Sequence, residues 1–281
     1  TTKKGKKGLG TVNFSSNFRV ENVYRFPENQ REYQRGDSGL NHTLGMQAFG
    51  TKFDPGTTLY DNVDSFFKTG YSETYNLSFE GGSETLTYRL GIADTDQSGT
   101  VPNTGYDRLN VTLNGTAQIK PYLRSEASFI YAKTSNQKGS KGAGSYLTNL
   151  LAWPINDDVT NYLNPDGTRR RITDNSATTE FDNPLWDVYN NLAEDENDRM
   201  VTNIGLIWDA TPWLSFTGRV GYDVTAGNGY RSIHPQSNAG ISQGGYIETY
   251  YNQANVTTTN LFATLKKSFG KFNTRLILGN A

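Results

Sequence analysis

Few residues of this chain are of types that do chemistry, and their spacing limits what they can do. There is no cysteine, which removes thiol catalysis, disulfide frameworks and Cys-based zinc sites together. The two histidines, His42 and His234, stand far apart with no second ligand at metal-binding spacing, and read as solvated loop residues. Asp94-Thr95-Asp96-Gln97-Ser98-Gly99 copies the first half of a calcium loop, because alternate carboxylates are what a hard cation takes. Gly105 stands where that loop needs a bidentate Glu, and no helices flank it, so the stretch reads as a plain polar loop without metal. Glycoside hydrolysis needs two placed carboxylates. Asp157-Asp158 and Glu194-Asp195-Glu196 can be nominated, but neighbouring charges in a loop face solvent. The chain reads as neither an enzyme nor a metalloprotein, and no cofactor is implied.

Aromatic side chains are the remaining candidates. Trp153, Tyr162, Trp186 and Tyr189 fall within one stretch, 134–199, where a sugar ring or a partner surface could stack on them. Packing into a small loop core is the competing reading. Lys3, Lys4, Lys6 and Lys7 could touch nucleic acid or lipid headgroups, but 27 basic against 28 acidic residues leave no global field for such a polyanion. No nucleic-acid partner is expected, and the lysines suit a junction strand. Sequons such as Asn110-Val111-Thr112 arise by chance in an Asn/Thr-rich strand and imply no glycosylation.

The elements that position these residues are strands. The chain has 28 Asn, 33 Thr and 29 Gly, a composition that starves helices and suits strands with polar faces and tight turns. At 281 residues the length allows one large domain, two small ones or part of something larger. Aromatics at 12% exclude a disordered chain. No apolar run exceeds four residues, against the roughly 20 that a membrane helix needs. Period-two alternation recurs nine times: Val12 to Val20, Tyr75 to Glu80, Leu86 to Ile92, Leu109 to Ile119, Leu123 to Tyr131, Ile204 to Trp208, Leu214 to Val224, 257–268 and Phe272 to Leu278. In the fourth, Leu109, Val111 and Leu113 alternate with Asn110, Thr112 and Asn114. In the seventh, Phe216, Val220 and Tyr222 oppose Thr217 and Arg219.

Connection lengths alternate as well. Turns near 82, 121, 212 and 270 are short, whereas 24–74, 94–105, 134–199 and 226–256 are long or intermediate. A soluble sandwich has medium loops at both ends. Membrane β-barrels have short turns at one end, long loops at the other, and aromatics near the interfaces, and Phe79, Tyr122, Trp213 and Phe269 sit beside the short turns. The pattern predicts an all-β fold, an antiparallel up-and-down transmembrane β-barrel. The long loops carry turn residues at Asp54-Pro55-Gly56, Asn164-Pro165-Asp166-Gly167 and Asn183-Pro184, with candidate short helices at 61–69 and 145–152. A soluble or surface-attached β-rich carbohydrate-binding module is the alternative.

Several stretches resemble the SusC/RagA-like TonB-dependent outer-membrane transporters of Bacteroidota. They are Thr1-Thr2-Lys3-Lys4-Gly5-Lys6-Lys7-Gly8, Asp61-Asn62-Val63-Asp64-Ser65-Phe66-Phe67-Lys68-Thr69-Gly70-Tyr71, Asn76-Leu77-Ser78-Phe79-Glu80-Gly81-Gly82, Thr87-Tyr88-Arg89-Leu90-Gly91 and Gly99-Thr100-Val101-Pro102-Asn103-Thr104-Gly105-Tyr106. Each is short, but their order and spacing over 1–124 are specific; later segments match more loosely. The resemblance implies that 1–10 is the last strand of the plug domain and its junction, and that 11–281 is the first part of the barrel, about nine strands of a wall of about 22. Both ends then read as internal to a longer chain. It further implies import of an oligosaccharide or peptide substrate across the outer membrane, a SusD-like lipoprotein partner, the TonB complex acting through parts outside this stretch, and a lipid bilayer around the wall.

Overall fold

The computed structural model describes residue 5 and residues 7–42, 45–142, 144–172 and 181–280. Residues 1–4 and 6, most of the expected plug strand, lie outside them. Nine strands form one sheet: β1 (Gly8–Glu21), β4 (Gly70–Gly82), β5 (Leu86–Ser98), β6 (Gly105–Lys120), β7 (Leu123–Lys138), β8 (Leu192–Thr211), β9 (Leu214–Ile233), β10 (Tyr246–Phe269) and β11 (Phe272–Asn280). They stand in chain order, each antiparallel to the next. A two-stranded hairpin, β2 (Gly36–Asp37) with β3 (Leu40–Asn41), lies in the first long loop. The helices are α1 (Asn62–Phe66), α2 (Tyr146–Ala152) and α3 (Pro184–Asn190). The sheet does not close on itself, as expected of part of a barrel wall.

Residues directly opposite across a ladder share a face, so the register sorts the side chains. Phe14, Leu77, Ile92, Val111, Tyr131, Met200 and Val224 form one continuous row. Val12, Phe79, Leu90, Leu113 and Phe129 form the next. None of these side chains is fully buried and many apolar ones on this face are open: Phe14 is 67% exposed, Leu113 48% and, in a further row, Val220 54%. The opposite face is polar, with Asn114 and Ser78 buried and Arg89 paired to Glu80. Every arginine of the nine strands, from Arg19 to Arg275, lies on this polar face. A soluble sheet keeps its apolar face covered, whereas this one turns it outward.

All nine expected strands form, and the short turns fall at 83–85, 121–122, 212–213 and 270–271. Gly270 takes a positive φ of 58° in the last, a conformation that glycine adopts without a Cβ clash. The long connections are shorter than alternation alone suggests: 22–69, 99–104, 139–191 and 234–245, in place of 24–74, 94–105, 134–199 and 226–256. Above the apolar rows both faces are polar, so the hydrophobic signal ends while the backbone ladder continues. Asp96, for instance, still pairs with Asp107, and Ser135 with Glu196.

The two faces give a direct test. Leu113→Arg in the full-length protein should cost about 2–4 kcal/mol, the range for a cation forced towards lipid near the midplane, and Thr112→Arg on the other face much less. Denaturant unfolding of both variants in a bilayer measures this, and equal costs would refute the register.

Candidate functional site

At the end away from the short turns, the long connections fold into a cap with its own core. Met46, Phe66, Leu150, Trp153, Val159, Leu185 and Val188 pack together there. α1 starts where the Asp61 carboxylate accepts from the Asp64 backbone N–H at 3.3 Å, an N-cap that satisfies one orphan donor of the first turn. It delivers Phe66, 1% exposed, onto the Tyr146 ring at 5.6 Å. Asn62 then ties this loop to the third one: its Nδ2 donates to the carbonyls of Pro154 and Asp157, and its Oδ1 accepts from Val159 N–H at 3.0 Å. Asn149, on α2, donates to the Gly144 and Asp182 carbonyls.

α3 is the central piece. Asn183 caps it by accepting from Leu185 N–H at 2.8 Å, and Pro184 occupies its first turn, where a missing N–H costs nothing. Asn183-Pro184, a turn signal in sequence, is here a helix start: asparagine at the cap followed by proline serves either, and the apolar Leu185, Trp186 and Val188 that follow bury one side of the helix. Asn103, in the 99–104 turn, donates to the Val188 carbonyl at 2.9 Å. α3 therefore joins the cap to the top of the wall.

The four aromatic candidates separate into two kinds. Trp153 and Trp186 are 3% and 2% exposed; the Trp153 indole N–H donates to Asp157 Oδ1 and the Trp186 indole N–H to Ser237 Oγ. Tyr162 and Tyr189 instead meet each other as stacked rings 6.0 Å apart and 18° from parallel, with Tyr189 47% exposed. This pair is an aromatic surface that the cap presents, whereas the tryptophans are buried within the cap. Elsewhere in the cap, a cleft of about 430 Å³ between the first and third loops is lined by Gln34, Arg35, Asn156, Asp157 and Arg170 among others. Its amide and charged groups suit a polar ligand.

The other sequence candidates take different places. Asp94–Ser98 is part of β5, not a loop, so Asp94 and Asp96 stand side by side on one face of an extended ladder, with no loop backbone to wrap round a cation. Asp157 is engaged by the Arg170 guanidinium as well as by Trp153. Glu194 and Glu196 share one face of β8 and Asp195 takes the other, which gives no facing carboxylate pair. His42 bonds the Asp37 carboxylate at 2.8 Å. His234 is not merely solvated: its ring stands edge-on to Trp186 at 5.0 Å, and its Nδ1 accepts from Gln236 N–H. Sequence reasoning missed the buried polar residues Asn62, Asn149, Asn183 and Ser237, whose partners lie far along the chain.

No model of a protein family matches the chain. By sequence it is similar to the TonB-dependent receptor SusC of Bacteroides thetaiotaomicron, 27% identical over 203 residues, covering 70% of this chain and 19% of that protein. It is similar also to the TonB-dependent receptor P3 of Formosa agariphila, 24% identical over 99% of this chain and 27% of that protein. The chain thus spans about a fifth to a quarter of the length of these curated relatives. In fold it resembles the RagAB peptide transporter, with a TM-score of 0.74 at 16% identity over 99% of this chain and 35% of that one. It fits the closed-closed and open-open states of the RagAB peptide importer about equally, at 0.71 and 0.70.

One buried acid makes the cap sensitive to pH. Burial pushes the Asp187 carboxyl up from its ordinary value, against bonds from Ser140, Asn191 and the Tyr146 backbone and the charge of Arg231, which all hold it down. An acid whose folded-state pKa is raised contributes its stability below the unfolded value and loses it as pH rises through the folded one. Resistance of the cap to protease should therefore fall as pH rises across that interval, and Asp187→Asn should flatten the dependence. An unchanged profile in the variant would contradict it.

Proposed function

Taking the chain as part of a SusC/RagA-like TonB-dependent transporter, we propose that it forms one portion of an outer-membrane barrel wall through which glycans or peptides are imported. The observation that carries this reading is the inverted polarity of the sheet: the apolar side chains lie on the uncovered face and the guanidinium groups on the other. Lipid is the solvent that makes such a surface stable. A soluble carbohydrate-binding module would leave these apolar rows in water. Residues 1–10 serve as the last strand of the plug and its junction, and 11–281 as wall and loops. Lys7, paired with Glu84 in the first short turn, is consistent with a chain that enters at the short-turn end.

In this reading the short turns face the periplasm and the cap faces outside. Cargo meets the cap first. Tyr162 and Tyr189 offer a stacking surface, Trp153 and Trp186 lie buried in the same cap, and a SusD-like lipoprotein covers the mouth. Energy reaches the barrel from the TonB complex through parts of the protein outside this stretch. SusC relatives and a peptide importer of like fold support TonB-dependent uptake of a large nutrient.

Because the chain has no cysteine, a single introduced one is a clean reporter within it. In intact cells carrying the full-length protein, Ser242→Cys, in the β9–β10 loop, should react with a membrane-impermeant maleimide above the background of the unsubstituted protein. Lys271→Cys, in the last short turn, should react only after the outer membrane is opened. Labelling of Lys271→Cys in sealed cells would overturn the orientation.

A further inference from the structure

The cap is held together in two physically different ways. α1, α2 and α3 meet through the apolar cluster around Phe66, Leu150 and Leu185. The β9–β10 loop, residues 234–245, contributes no side chain to that cluster among the described residues, and its Ile241 is 40% exposed. It is seated on α3 mainly by hydrogen bonds, beside the edge-on contact of the His234 ring with Trp186. Ser237, wholly buried, accepts from the Trp186 indole N–H at 2.9 Å and donates to Asn191 Oδ1 at 2.7 Å. His234 N–H donates to the same Asn191 oxygen at 3.1 Å. A second set lies alongside, with Arg169 donating to the Gln236 carbonyl at 2.7 Å and Asn238 N–H to Asp182 Oδ1 at 2.9 Å. Gly244 and Gly245, at φ of 71° and 79° just before β10, give the loop a glycine pivot.

We propose that residues 234–245 form a polar latch over a cryptic aromatic site, in which lifting of the loop joins Trp186 to the Tyr162–Tyr189 pair as one stacking surface for planar cargo such as a sugar ring. The loop's hydrogen bonds exchange for water at about 1 kcal/mol each and the large apolar group that lifting uncovers is the Trp186 indole, which cargo can cover again, whereas the apolar cluster would lose the burial of all its members at once. The latch can therefore open while the core stays closed. Trp186 stands three residues before Tyr189 on α3, a spacing that puts the two side chains next to each other on a helix. Ser237 and the His234 ring of the loop both lie against the buried indole, whereas the Tyr189 ring is open. The site's role in cargo contact rests on the transporter reading; the latch itself does not.

Hydrogen exchange of the full-length protein in detergent tests the latch without any transport assay. Ser237→Ala removes the acceptor for Trp186 and the donor to Asn191, and should raise amide exchange across 234–245 about tenfold while α1, α2 and α3 keep their protection. Gln236→Ala, which removes the side-chain acceptor for Arg169 N–H, should act in the same direction. Leu150→Ala, aimed at the core, should instead loosen the helices together. If Ser237→Ala raised exchange equally through the whole cap, or left 234–245 unchanged, the latch would be refuted. Binding of short oligosaccharides to the same variant then reads the site: tighter binding by Ser237→Ala supports cryptic Trp186, and equal or weaker binding removes it.

Discussion

Away from its two open edges, the backbone of this wall is satisfied sideways, by neighbouring strands on either side, and the rest of the structure follows from that. A strand that shows apolar side chains to lipid has no water to bond its backbone on that side. The antiparallel ladder supplies the bonds and, by its fixed two-residue period, sends apolar side chains to one face and polar ones to the other. Continuous rows from Phe14 to Val224 exist because the register holds without a slip across seven strands, its shifts lying near the short-turn ends, at Gly8/Thr11, Gln118/Lys120 and Asp209/Thr211. A shift of one residue in any ladder would place arginines such as Arg89 or Arg219 on the apolar face.

The same constraint explains where the loops go. The short turns have little freedom, and the ladder reaches into them: Asp209 N–H donates to the Tyr122 carbonyl and Lys266 N–H to the Trp213 carbonyl. At the other end the chain is released and must satisfy its polar groups afresh. It does so by building a small core of its own and by stapling loops with buried side-chain amides, Asn62, Asn149 and Asn183. Distant segments then share one rigid cap, which is the condition for holding an aromatic pair such as Tyr162 and Tyr189 in fixed geometry.

The wall was largely legible in the sequence because alternation is a local signal. Leu109 to Asn114 declares its two faces within six residues. The strand ends were not legible: Asp94–Ser98 and Glu194–Asp198 are polar on both faces, and backbone pairing needs no hydrophobic pattern. Two helices could be read from a cap or an apolar cluster, at 61–69 and 145–152, and form as Asn62–Phe66 and Tyr146–Ala152. α3 was missed because Asn183-Pro184 is ambiguous until its apolar residues have something to pack on. The aromatic candidates were visible by type, but their division into buried Trp153 and Trp186 and open Tyr189 depends on partners such as Ser237, 51 residues from Trp186.

The central claim is that the apolar face of this sheet meets lipid and the polar face does not. Nitroxide scanning of residues 109–118 in the full-length protein, reconstituted in a bilayer, measures it residue by residue through collisions with oxygen, which concentrates in lipid, and with a water-soluble nickel chelate. The account predicts oxygen accessibility with a period of two, high at positions 109, 111 and 113 and low at 110, 112 and 114. Absence of that period, or equal access of the nickel chelate to both sets, would contradict it.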